Sequence, residues 1–160
     1  MISPYKAISV LAAANVDFVG IGGMALRSHG SAYLTQDLDI CYSRARENLE
    51  RIADALRGLK PRPRGFPDEL PFVWDWSTLK NGTNFTFRTS LCDIDLLAEV
   101  PGIGTYQDVL ESSEVIELEG KEVRILSIDG LIKAKTKAGR IKDQAGLEEL
   151  YALKASETEE

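Results

Sequence analysis

Phe18-Val19-Gly20-Ile21-Gly22-Gly23 is followed, after a spacer of thirteen residues, by Asp37-Leu38-Asp39-Ile40-Cys41-Tyr42. The first run is short and apolar, and it ends in two glycines. It reads as a buried strand breaking into a tight turn. A short helix over 24–29, closed by Gly30, follows the turn. The second run alternates, with Leu38 and Ile40 on one face and Asp37, Asp39 and Cys41 on the other. Residues two apart on a strand share a face, so Asp37 and Asp39 project into one volume. Two bare carboxylates side by side repel and disturb each other's titration. A divalent cation between them removes that conflict.

A second acidic strand, Cys92-Asp93-Ile94-Asp95-Leu96-Leu97, comes about fifty residues later. Asp93 and Asp95 also share a face. If the two acidic strands are sheet neighbours, up to four carboxylates meet on one side. Buried unpaired charge is costly, so a sheet does not gather acids for stability. The competing reading is a solvated face or a charged, protected edge. The glycine turn adds a second element: Gly22 and Gly23 allow close backbone approach, and the helix start beyond them offers N–H groups to a phosphate. Carboxylates converging on metal, beside backbone N–H groups aimed at phosphate oxygens, are the parts that Mg²⁺-dependent phosphoryl transfer uses.

Around this centre the chain reads as α+β: a mixed β-sheet flanked by helices, mainly on one face, with two C-terminal helices. Ser3 caps and Pro4 opens a helix over the apolar stretch 5–14. Ser43 is expected to cap a helix over 44–56, whose Leu49, Ile52 and Leu56 give a core face. The stretch 60–71 carries four prolines and is a loop, locally basic through Lys60, Arg62 and Arg64. Alternation suggests extended chain over 72–76 and strands over 84–89 and 91–98. Glu119-Gly120 turns a hairpin between 114–118 and 122–126. Ser127 caps a helix over 128–138, and a second runs over 142–154. We read residues 1–155 as a single domain and 156–160 as a frayed acidic tail.

The bulk numbers narrow the function. The net charge of −6 argues against a broadly basic nucleic-acid coat. Cys41 and Cys92 form neither a disulfide framework nor a zinc pattern with the single His29, and read as reduced thiols of a cytoplasmic protein. No secretory leader or membrane-length apolar run is present, so no membrane association is expected.

The order of motifs resembles the polymerase-beta-type nucleotidyltransferase superfamily. The matching residues are Ile21-Gly22-Gly23 and Asp37-Leu38-Asp39-Ile40. Within it the chain is similar to the small prokaryotic stand-alone branch related to abortive-infection and toxin–antitoxin nucleotidyltransferases. That likeness is carried by Ala25-Leu26-Arg27-Ser28-His29-Gly30 with Thr35, by Asp95-Leu96-Leu97-Ala98-Glu99-Val100-Pro101-Gly102, and by Leu131-Ile132-Lys133-Ala134-Lys135 through Gly139-Arg140-Ile141-Lys142-Asp143. The resemblance implies that Asp37, Asp39 and Asp95 are catalytic and hold a pair of Mg²⁺ ions, with Asp93 the alternative third ligand. It implies that Gly22 and Gly23 face the triphosphate of an NTP. An acceptor hydroxyl would attack the α-phosphorus and release pyrophosphate. The acceptor stays open among tRNA, a protein hydroxyl and a small molecule, and a cognate protein partner is one expected arrangement. Two positions depart from the pattern. Tyr33 stands where many relatives carry Arg, a contact that is then missing or supplied by Arg27, and Cys92 stands where glycine is common.

Five cations and no acid lie over 133–142. On a continuous helix Leu131, Ala134, Ala138, Ile141 and Ala145 form an apolar stripe. Lys135 flanks it, within reach of a triphosphate as the family resemblance also implies, while Lys133, Lys137 and Arg140 point to solvent; a helix break at Gly139 would release Arg140 and Lys142 from this wheel. A solvated basic face is the alternative for Lys135, and Arg140 with Asp143 reads as a local ion pair worth little if exposed. His29 reads as a helix-end residue more than a base. The aromatics Phe72, Trp74, Trp76, Phe85 and Phe87 read as core more than a base-stacking platform. The competing functions are a catalytically silent binding or regulatory module of the same fold and, last, a sugar-nucleotide glycosyltransferase, which also uses Asp-x-Asp but in a larger domain.

Overall fold

The computed structural model describes residues 2–31 and 35–158. Tyr33 and the last two glutamates of the acidic tail lie outside the described residues, as does the side chain of Lys142. The elements in chain order are α1 (Pro4–Ala13), β1 (Phe18–Ile21), α2 (Gly23–Ser28), β2 (Leu38–Tyr42), α3 (Arg46–Arg57), β3 (Arg62–Pro63), α4 (Trp76–Lys80) and β4 (Phe85–Arg88). There follow β5 (Asp93–Leu97), β6 (Glu99–Val100), β7 (Gly104–Thr105), α5 (Tyr106–Glu111), β8 (Ser113–Leu118), β9 (Lys121–Leu126), α6 (Ile128–Ala138) and α7 (Ile141–Thr158).

Seven strands form one mixed sheet in the order β3-β4-β5-β2-β1-β9-β8. β2 lies at its centre, antiparallel to β1 and parallel to β5. A parallel pair needs a long crossover, and here α3, β3, α4 and β4 supply it. The apolar alternation of β2 and β5 then works as expected: Leu38, Ile40, Ile94 and Leu96 are wholly buried. Each contributes roughly 1.5–3 kcal/mol by leaving water. That burial pins the register, since a slip of one residue would turn the acids inward. β6 and β7 pair separately as a small hairpin. No helix among the described residues is long and apolar enough to cross a membrane.

Local capping follows the sequence in two helices, α1 and α6. Ser3 Oγ accepts from Lys6 N at the start of α1, and Ser127 Oγ accepts from Gly130 N at the start of α6. Gly139, at φ 61°, closes α6 in the left-handed region.

Elsewhere the structure corrects the expectations. α3 starts at Arg46 rather than Arg44, without a side-chain cap. Arg44 is held outside the helix, donating to the carbonyls of Leu79 and Lys80 and to Tyr42 Oη. The stretch 72–76 is not extended as a whole. Asp75 Oδ1 accepts from Thr78 N and opens α4 at Trp76, so a polar cap outweighs the aromatic alternation. α5 is an addition to the expected elements, although Thr105 and Asp108 form a capping box. α7 runs on to Thr158, into the stretch read as an acidic tail. Tertiary contacts hold α7: Ser31 Oγ donates to Glu149, Lys154 Nζ lies 2.7 Å from Asp129, and His29 Nδ1 lies 4.0 Å from Glu157.

Candidate active site

The register of β2 against β5 sets Asp39 directly beside Asp95. Like charges at facing positions destabilise a sheet, so this pair is not explained by stability. Asp37, one residue before β2, stands exposed on the same side. Thr35 Oγ1 donates to its carbonyl at 2.8 Å. On the other flank β1 runs antiparallel to β2 with Ile21 opposite Asp39. Gly22, the next residue, therefore comes against that carboxyl. A Cβ on Gly22 would lie 2.3 Å from Asp39 Oδ2, and its φ of 68° is one that L side chains rarely adopt. Glycine is required here for both reasons.

Asp37, Asp39 and Asp95 line one cavity of about 380 Å³ with Gly22 and Gly23. Lys135 and Arg140, with Asp143, line the same cavity and add basic groups to it. Burial is the largest influence on Asp39. A hydrogen bond to Asp95 and the charges of Asp95 and Asp37 add to it, and the carboxyl is pushed up to about 7. Asp37 is raised as well, by partial burial and then by Asp93 and Asp95, against the pull of Arg64.

Asp93 takes a different place from Asp95. Its Oδ2 lies 3.6 Å from Arg64 Nε, and it lines a second cavity of about 360 Å³ that meets the first at Asp37. Gln36 and Ser90 line that second cavity too. The structure thus brings Asp95, not Asp93, to the cavity shared by Asp37, Asp39 and the glycines.

These basic groups differ from the sequence reading. α6 ends at Gly139, so the continuous wheel that sends Arg140 to solvent does not apply. Arg140 turns to the cavity, and Asp143 is buried, with 2% of its side chain exposed. Asp143 accepts from Arg140 Nε at 2.7 Å, Arg140 Nη2 at 3.2 Å and Arg140 N at 3.1 Å. Lys135 Nζ stands 3.5 Å from the same carboxylate. Hydrogen bonds from Arg140 hold the Asp143 carboxyl down at about 2. The local ion pair of Arg140 and Asp143 expected from the sequence is thus present, but both residues line the cavity, where the helical wheel had sent Arg140 to solvent. The signal available in sequence was Gly139, a helix stop four residues before Asp143.

His29 and the aromatics fall to structural roles. His29 Nε2 is 2.9 Å from the Leu126 carbonyl, which caps α2 onto β9. Phe87 is buried, stacked on Phe85 with centroids 5.3 Å apart, and Trp74 meets it edge-on at 5.0 Å. Trp74 Nε1 donates to the Ala53 carbonyl. Cys41 and Cys92 are free and buried, and burial raises both thiols, to about 12 and about 11.

Among the described residues no three His, Cys, Asp or Glu side chains are drawn together into a ready-made ligand set for one ion. The trio lines a common wall and repels across it. The donor chemistry nonetheless fits a hard divalent cation. Every donor is a carboxylate oxygen, and the suppressed ionisation of Asp39 is what a counter-charge would relieve. Among the described residues the cations of the cavity pair with Asp143 rather than with the trio.

No family model matches the chain, and no curated protein matches it significantly. Solved structures do. A proposed nucleotidyltransferase from Thermotoga maritima superposes with a TM-score of 0.59 at 14% identity, covering 95% of this chain and 96% of that one. The antibiotic-resistance factor ANT(2'')-Ia superposes with a TM-score of 0.55 at 14% identity, covering 97% of this chain and 91% of that one. At these identities the likeness is one of fold: the mixed sheet, its flanking helices and its C-terminal helices are nucleotidyltransferase-like.

Proposed function

We propose that this protein is a metal-dependent nucleotidyltransferase that moves a nucleoside monophosphate from an NTP to a hydroxyl acceptor. One observation carries the reading. Asp39 and Asp95 stand in register on adjacent parallel strands, with Asp37 and Gly22 on the same cavity wall.

Asp37, Asp39 and Asp95 would hold Mg²⁺, which when bound supplies charge to the attacking and leaving oxygens. The remaining parts belong to the chain itself. Gly22 and Gly23 leave room for phosphate to approach the backbone closely. Lys135 and Arg140 offer charge-assisted hydrogen bonds to the outer phosphates. Asp37, exposed at the meeting of the two cavities, is placed to orient an acceptor hydroxyl entering from the second cavity. In-line displacement at the α-phosphorus then breaks the bond to the pyrophosphate oxygen. As a consumer of NTPs the enzyme would work in the cytoplasm. A tRNA, protein or small-molecule acceptor, and a partner protein as in a toxin–antitoxin pair, rest on the sequence resemblance alone.

The test is a screen of the four NTPs with Mg²⁺ against total tRNA, partner protein and small hydroxyl compounds, read by label transfer and pyrophosphate release. Asp37→Asn is expected to keep the fold and lower transfer by at least about a hundredfold. Undiminished transfer in that variant refutes the reading. Tight capture of a protein partner, with no nucleotide binding, would instead support the silent-module alternative.

A further inference from the structure

The junction of α6 and α7 holds a charge cluster whose burial the transfer chemistry does not by itself require. Asp143, in the first turn of α7, is almost wholly enclosed, whereas its partners are not: 58% of the Arg140 side chain and 22% of that of Lys135 are exposed. Capping of α7 accounts for one of its contacts, the bond from Arg140 N. It does not account for the forked contact with the Arg140 guanidinium or for the approach of Lys135. Lys135 arrives from α6 over the bare backbone of Gly146, where a Cβ would lie 3.1 Å from Lys135 Cε and 3.2 Å from Nζ.

Two long cationic side chains beside three carboxylates would ordinarily fold onto them, which would block both metal and phosphate. The Asp143 carboxylate competes for the same cations. It uses two of the five guanidinium donors of Arg140 and one direction of the Lys135 ammonium, and so leaves donors for an anion.

We propose that Asp143 is a positioning residue that sets Lys135 and Arg140 as a two-point clamp for the polyphosphate end of the nucleotide, in the cavity they share with Asp37, Asp39 and Asp95. This rests on the reading of that cavity as a triphosphate site.

The experiment turns on a sign. Asp143→Asn removes a negative charge from a cavity that takes a polyanion, so Coulomb attraction alone predicts tighter binding. Positioning predicts the opposite. Inorganic tripolyphosphate with Mg²⁺ is titrated calorimetrically into the wild type, into D143N, and into the Lys135→Ala/Arg140→Ala double variant with and without D143N. The expected result is at least tenfold weaker binding in D143N. In the double-variant background D143N should change affinity less than twofold, because it acts through the missing cations. Mg²⁺ alone should bind D143N within twofold of the wild type, which a general loss of structure would not allow. Equal or tighter tripolyphosphate binding by D143N, or an undiminished effect in the double-variant background, overturns the inference. If D143N does not melt cooperatively, Arg140→Lys replaces it. That variant keeps the charge of a largely exposed side chain but gives up the fork. Severalfold weaker binding is expected, and unchanged binding overturns the inference. A wild type that fails to bind tripolyphosphate overturns the triphosphate reading, and this inference with it.

Discussion

Replacing Asp39 with asparagine should stabilise the fold near pH 8 while removing its response to Mg²⁺. The Asp39 carboxyl is pushed from an ordinary 3.8 up to about 7 by burial, then by Asp95 and Asp37. An upward shift of about three units corresponds to roughly 4 kcal/mol. The carboxyl still reaches solvent through the cavity, so we discount this for screening to roughly 2 kcal/mol. The sign follows from proton binding. Between about pH 4 and 7 the folded state binds more protons at this site than the unfolded chain does, so stability falls as pH rises through that window. Above pH 7 the whole penalty is present. The amide of the D39N variant keeps the shape of the side chain but has no charge to suppress. D39N should therefore melt about 4–8 °C above the wild type at pH 8, with the gap closing towards pH 5. Saturating Mg²⁺ at pH 8 should raise the melting temperature of the wild type and leave that of D39N unmoved. Differential scanning calorimetry at the two pH values, with and without Mg²⁺, measures all four quantities. A D39N variant no more stable than the wild type at pH 8, or an equal response of both to Mg²⁺, refutes this reasoning.

Three further outcomes follow from the geometry. Gly22→Ala places a methyl against Asp39 Oδ2 at a strained φ; it should cost about 1–3 kcal/mol in chemical denaturation and abolish detectable transfer. Asn48 is buried and bonds Asp17 N, Asp17 O and Ser43 O, so Asn48→Ala should destabilise by about 2–4 kcal/mol in urea melts while leaving the KM for NTP near that of the wild type. Gly146→Ala should raise helix stability by about 0.5–1 kcal/mol. Its methyl also crowds the far end of Lys135, so the KM for NTP should rise severalfold in steady-state assays with kcat little changed.

The sequence by itself determined the longer strands, the glycine turn and the acidic faces. These depend on side-chain periods and local backbone freedom, which travel with the chain. It did not determine the two-residue strand β3 inside the proline-rich stretch read as a loop, nor β6 and β7. Leu38 and Ile40 had to face inward, so Asp37 and Asp39 had to face out together. The caps at Ser3 and Ser127 were equally local. α4 and α5 were present in the sequence as Asp75-x-x-Thr78 and Thr105-x-x-Asp108, but aromatic alternation and a short span hid them.

Only the tertiary structure decided which acids meet. Asp93 and Asp95 are equivalent in period, and no local signal separates them. The parallel register of β5 on β2 set Asp95 beside Asp39 and left Asp93 two residues earlier, at the neighbouring cavity with Arg64 3.6 Å away. The basic groups of the cavity were hidden for a similar reason. Gly139 breaks the helical wheel, and beyond such a break the direction of Arg140 and the burial of Asp143 depend on how α7 packs against α6. That packing is a long-range event, which no spacing within 133–143 encodes.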